Sequence, residues 1–106
     1  MESNYAWAAG LIEGEGCFTY HSDGKRPYFL MDMTDKDVLQ KFQVVFPETN
    51  LRGPYLHKNK PLHKERWRID AYGDKCVHIM KAVYPWMGQR RKNKIDELLT
   101  HDDNRL

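Results

Sequence analysis

The chain has 106 residues, 41% hydrophobic and 30% charged, which is enough apolar material for one modest core and too much for a disordered chain. No apolar run reaches the ~20 residues of a membrane span, and the acids in the interrupted apolar N-terminus argue against a signal peptide. Two cysteines, Cys17 and Cys76, lie far apart with no C-x-x-C, which argues against structural zinc or a disulfide framework. The expectation is a single domain over residues 1–106 in a cytoplasmic, reducing setting.

Ser3 or Asn4 can cap a first helix running to about Glu13, with Gly14 and Gly16 breaking it. Cys17–Ser22 and Tyr28–Met33 read as strands joined through Ser22-Asp23-Gly24-Lys25, whose Asp-Gly is a hairpin signal. Thr34-Asp35-Lys36-Asp37 has the form of a capping box with Asp as its acid. Val38, Leu39, Phe42, Val45 and Phe46 follow at helical spacing until Pro47. Leu51–His57 and Lys64–Tyr72 form a second hairpin around Lys58-Asn59-Lys60-Pro61. Its last strand alternates Trp67, Ile69 and Ala71 with Arg66, Arg68, Asp70 and Tyr72. Asp74 caps a third helix that buries Val77, Met80 and Val83 and ends at Pro85. Gln89–Leu99 forms a last helix with Ile95, Leu98 and Leu99 inward. Two hairpins, each followed by a helix, predict an α+β fold with one antiparallel sheet and helices on one face.

The other sheet face then carries Thr19, His21, Asp32, Arg66 and Arg68. Charge is clustered although the net is only +2. Positions 52–68 hold Arg52, His57, Lys58, Lys60, His63, Lys64, Arg66 and Arg68 against the single acid Glu65, and Arg90, Arg91, Lys92 and Lys94 form a second zone. Such a face suits a polyanion, and a two-stranded ribbon fits the DNA major groove. Candidate DNA contacts are Thr19, His21, Lys25, Arg26, Asp32, Arg52, Lys58, Lys60, Lys64, Arg66 and Arg68. The same clusters also fit a solvated, lysine-rich exterior.

The chemically informative segment is Trp7-Ala8-Ala9-Gly10-Leu11-Ile12-Glu13-Gly14-Glu15-Gly16. Ala6, Gly10 and Gly14 are four apart and give one helix face a stripe of small residues, along which another helix can approach closely. The stripe ends in two acids. A twin helix packed against it delivers a second carboxylate to the same place, and two such carboxylates repel unless a cation lies between them. Mg²⁺ prefers oxygen ligands of this kind and assists phosphodiester cleavage. Acids at a helix C-terminus oppose the macrodipole, although the segment also fits an ordinary glycine-ended helix with solvated acids.

Ala8-Ala9-Gly10-Leu11-Ile12-Glu13-Gly14-Glu15-Gly16 resembles the LAGLIDADG motif of homing endonucleases. The resemblance extends to the hairpin with Phe18, to Thr34-Asp35-Lys36-Asp37-Val38-Leu39 and to Tyr84-Pro85-Trp86-Met87-Gly88-Gln89-Arg90-Arg91-Lys92. It implies an αββαββα half-saddle and, with one copy of the motif, a homodimer that cuts a roughly palindromic double-stranded DNA site. Ala6, Gly10 and Gly14 then form the dimer interface. The resemblance makes Glu15 the ligand of catalytic Mg²⁺ (Mn²⁺ substituting), with the Gly14 carbonyl beside it and Glu13 as a supporting acid. It also implies a basic residue near the start of the final helix that orients solvent or stabilises phosphate charge; Arg90 matches best and Lys92 next.

Two departures stand out. Glu15 is one methylene longer than the usual Asp. Met33 stands where the family often has Gln or Asn, so either Asp32 or Thr34 takes that role, or cleavage is slow or lost. The alternative reading is a nucleic-acid-binding protein on the same scaffold that does not cleave, such as a maturase or regulator.

Overall fold

The computed structural model describes residues 2–21, 24, 26–56 and 64–103. The elements run α1 (Glu2–Glu15), β1 (Gly16–Tyr20), β2 (Pro27–Met33), α2 (Lys36–Val45), β3 (Asn50–Tyr55), β4 (Arg66–Tyr72) and α3 (Asp74–Val83). A 3₁₀ turn (Tyr84–Trp86) then leads into α4 (Gln89–Asp103). The strands form one antiparallel sheet in the order β1-β2-β4-β3, so the two hairpins meet through β2 and β4. Among the described residues no helix is long and apolar enough to cross a membrane.

Strand alternation puts one row of residues into the core. Phe18, Phe29 and Ala71 lie side by side across the sheet, as do Met31 and Ile69. The helices cover this face with Ala8, Ala9 and Ile12 of α1, Leu39 and Phe42 of α2, Ile79 and Met80 of α3, and Ile95 and Leu98 of α4. Phe42 is central, with ring centroids 5.7 Å from Phe29 and 5.3 Å from Phe46. Burial of large side chains at roughly 1.5–3 kcal/mol each makes this face the main source of stability.

Several local expectations change. Helix α1 begins at Glu2 and passes through Gly14 to Glu15, so Ser3 and Asn4 lie inside it. One helical glycine costs about 1 kcal/mol, which the packing of Ala8, Ala9 and Ile12 offsets. The real break is Gly16: a Cβ there would lie 2.9 Å from the Ile12 side chain and 3.1 Å from its backbone. At the start of α2 the N-cap is Asp35, not Thr34, and it makes no side-chain cap bond, so the capping box does not form. Asp74 is the first residue of α3, after the N-cap Gly73 at φ +57°, and serves the helix dipole from there. That helix also buries Cys76 and Ile79, while Val77, like Leu99 of α4, is half-buried. Helix α4 extends to Asp103.

The edge strand β3 carries Pro54 after a cis peptide and a bulge between Arg52 and Tyr55, where a proline is tolerated. The predicted turn residues Ser22, Asp23 and 58–61 lie outside the described residues, and with them the candidate DNA contacts Lys25, Lys58 and Lys60.

Candidate functional site

Helix α1 joins β1 with no residue between Glu15 and Gly16. Glu15 is exposed and has no ion pair or hydrogen-bond partner among the described residues. It borders a small polar recess of about 160 Å³ together with Asp32, Met33, Thr34, Asp35 and Arg66. The donors there are hard oxygens, which fit Mg²⁺. Among the described residues no three His, Cys, Asp or Glu side chains gather tightly enough to hold a metal.

Along α1, Gly10 and Gly14 are exposed and a Cβ at either would meet nothing within 4 Å; Ala6 is half-buried. The predicted small-residue face is thus left uncovered by the described residues.

Glu13 has a different role from Glu15. Its Oε2 accepts the Gly88 N–H at 3.0 Å, at the start of α4. Arg91 pairs with Glu13 Oε1 at 3.3 Å and donates through Nη2 to the Glu13 carbonyl at 3.1 Å. An acid that opposes the dipole of its own helix is here set against the positive end of another, and a cation meets an unpaired carbonyl of the α1 C-terminus. The conflict that Glu13 raised in the sequence is thereby resolved structurally: Glu13 fastens α1 to α4.

That fastening sets the basic side chains. Arg90, Arg91, Asn93, Lys94 and Glu97 line a pocket of about 420 Å³ with Gly16, Cys17 and Phe18, and Lys94 is paired with Glu97 at 3.0 Å. Arg90 thus lines the same pocket as Gly16, the residue that follows Glu15. Lys92 does not: its Nζ lies 5.4 Å over the Tyr84 ring, on another side of α4. The basic residue that accompanies Arg90 is Lys94, one turn along, and helical spacing was the signal that could have found it.

On the open sheet face, cross-strand neighbours place Thr19 by Tyr28 and Tyr72, and Asp32 by Arg68 and Arg52. Arg68 is bound side-on by Asp32, with Nε to Oδ1 at 2.7 Å and Nη2 to Oδ2 at 2.9 Å. This hydrogen bond holds the guanidinium pKa above its ordinary value. Arg52 Nε donates to Asp70 Oδ2 at 2.9 Å, which likewise raises the Arg52 pKa, and Tyr28 Oη donates to the same oxygen at 3.0 Å. Burial, then Asp70, pushes the Tyr28 phenol up to about 12. His21 packs edge-on against Tyr72, with centroids 4.9 Å apart. Arg66 and Lys64 are exposed, Arg66 beside the Glu15 recess, and Arg26 is exposed next to β2. Sequence alternation already put Asp70 on this face, but not its bonds to Arg52 and Tyr28, and the phenol Tyr28 is the residue that sequence reasoning missed.

A helix, a hairpin, a helix, a second hairpin and closing helices, with one sheet face and the glycine edge of the first helix left open by the described residues, make up an αββαββα half-saddle. No protein-family model and no curated protein matches the sequence. Among solved structures the chain is similar to the homing endonuclease I-CvuI in complex with its target in the presence of 2 mM Ca, with a TM-score of 0.67 and 13% identity over 94% of this chain and 66% of that one. It is also similar to the archaeal intron-encoded homing endonuclease I-Vdi141I complexed with DNA, with a TM-score of 0.63 and 14% identity over 96% of this chain and 66% of that one. The chain has the LAGLIDADG homing-endonuclease fold and spans about two thirds of the length of these structures.

Proposed function

We propose that the chain is a site-specific, metal-dependent double-strand DNA endonuclease that works as a homodimer on a roughly palindromic target. The observation that carries this reading is Glu15, an exposed and unengaged carboxylate where the uncovered Gly10/Gly14 face ends and the basic start of α4 comes alongside. Packing the same face of a second copy against it brings two Glu15 carboxylates together. The Glu15 carboxylate and the Gly14 carbonyl would hold Mg²⁺, or Mn²⁺ in its place. When bound, the metal supplies positive charge to the oxygens of the phosphodiester under attack. Arg90 holds phosphate charge or solvent; as a permanent cation it is not a general base. Glu13 and Arg91 keep α4 in place for that task. The target bound by I-CvuI and the DNA bound by I-Vdi141I support DNA as the partner.

A second reading, a nucleic-acid-binding protein without cleavage, is favoured by Met33. Met33 lines the recess while packing against the core, a thioether orders water poorly, and Asp32 is already engaged by Arg68. Incubating a randomised duplex library with Mg²⁺ separates the two. Cleavage by the unaltered protein, lost in Glu15→Gln while binding in Ca²⁺ persists, is the expected result. Tight binding with no nicking in Mg²⁺ or Mn²⁺ selects the second reading. Affinity that barely falls with added salt contradicts both, because phosphate contacts give a steep decline.

A further inference from the structure

Asp32, Arg68 and Arg52 form one row across β2, β4 and β3 on the open face. Two arginines directly opposite each other on neighbouring strands are unfavourable unless something compensates. Here each has its own carboxylate. Asp70, only 1% exposed, takes Arg52 with the help of Tyr28, and Asp32 takes Arg68. The way Asp32 binds matters most. It occupies the Nε edge of the guanidinium, the edge shared by Nε and Nη2, and Tyr28 stands beside the same group. Asp32 leaves untouched the terminal fork, Nη1 with the other Nη2 proton, where the Tyr28 hydroxyl is the neighbouring acceptor, and the Arg68 side chain is 38% exposed. A terminal fork held in a fixed plane matches the O6 and N7 acceptors that guanine shows in the major groove.

We propose that Arg68 reads a guanine in each half-site through this fork, and that Asp32 does not touch DNA but is the positioning residue for Arg68. The proposal rests on the DNA reading above. Holding the side chain beforehand lessens the freedom lost when it meets the base. The neighbouring negative charge also cancels much of the pull of Arg68 on phosphates. Its contribution then shows as base discrimination rather than as salt-dependent affinity.

The test is selection of bound duplexes from a randomised pool in Ca²⁺, using the unaltered protein, Arg68→Ala, Arg68→Lys and Asp32→Ala. Circular dichroism and melting of each variant establish that it folds, and Arg68→Lys retains the charge beside Asp32. The unaltered protein is expected to require guanine at one position per half-site, with substitution there raising Kd roughly 5- to 150-fold. Both Arg68 variants lose that preference alone. Asp32→Ala weakens it while affinity for random duplex rises, a reversal that a merely structural role does not produce. An enriched profile that Arg68→Ala leaves intact, a preference lost at a base other than guanine, or a loss spread evenly over all positions overturns this inference and leaves the DNA reading standing. Failure of the unaltered protein to enrich any sequence sinks both.

Discussion

Removing the Glu13 carboxylate tests how α1 and α4 are joined. In Glu13→Ala the bond to the Gly88 N–H disappears, a capping-type interaction of about 1 kcal/mol. The direct pairing with Arg91 adds only about 0.5 kcal/mol, because Glu13 is 40% exposed and screened by water. The larger effect falls on Arg91. Its side chain is 13% exposed and, among the described residues, keeps only the Glu13 carbonyl as a partner, which adds about 1–2 kcal/mol for a poorly satisfied buried group. The expected loss of stability is about 2–3 kcal/mol, or a fall in Tm on the order of 10 °C. Urea unfolding of Glu13→Ala, Arg91→Ala and the double variant reads both the loss and the coupling. The double variant should be less destabilised than the two single changes together, by about 1 kcal/mol. Glu13→Gln, which retains an acceptor for Gly88, should recover part of the stability. Strict additivity, or a Glu13→Ala protein within about 0.5 kcal/mol of the parent, would refute the fastening.

Two further outcomes follow from single groups. Because the Tyr28 phenol is shifted from 10.0 to about 12 in the folded protein, it holds its proton more tightly there than in the unfolded chain. Its contribution to stability is whole below pH 10 and lost as pH rises towards 12. Denaturation midpoints should fall across that window in the parent and less so in Tyr28→Phe, with phenolate absorbance as a direct check; equal slopes would contradict the assignment. Gly10→Leu adds a side chain where nothing lies within 4 Å, so the subunit should fold with equal or better stability while sedimentation shows the dimer lost. A Gly10→Leu protein that still sediments as a dimer places the pairing surface elsewhere.

Much of the fold was legible because its signals are periodic. The alternation in β4 and the helical spacing of Leu39 and Phe42 each assigned an element and its buried face. Element ends were less legible. Gly14 looked like a stop but sits in an open helix, whereas Gly16 is held to glycine by the nearby backbone of Ile12, a contact no local pattern displays. The place of Glu15 at the exposed end of the first helix was legible because its signal is local. Partners distant in sequence were not legible. Glu13 meets Gly88 and Arg91, and Asp70 gathers Tyr28 and Arg52, only after the sheet and helices have assembled. Lys92 and Lys94 differ by two residues, yet one leans on Tyr84 and the other faces β1, because a step of two turns a helix by more than half a circle.

The junction at Gly16 also limits how the protein can change. With no loop between α1 and β1, there is no slack to absorb an inserted residue. One extra residue there would invert the strand, sending Phe18 towards solvent and Thr19 into the apolar layer. Glu15 is thus indexed to the sheet as a tooth is to its gear, and drift in length has to occur at the far ends of the hairpins instead.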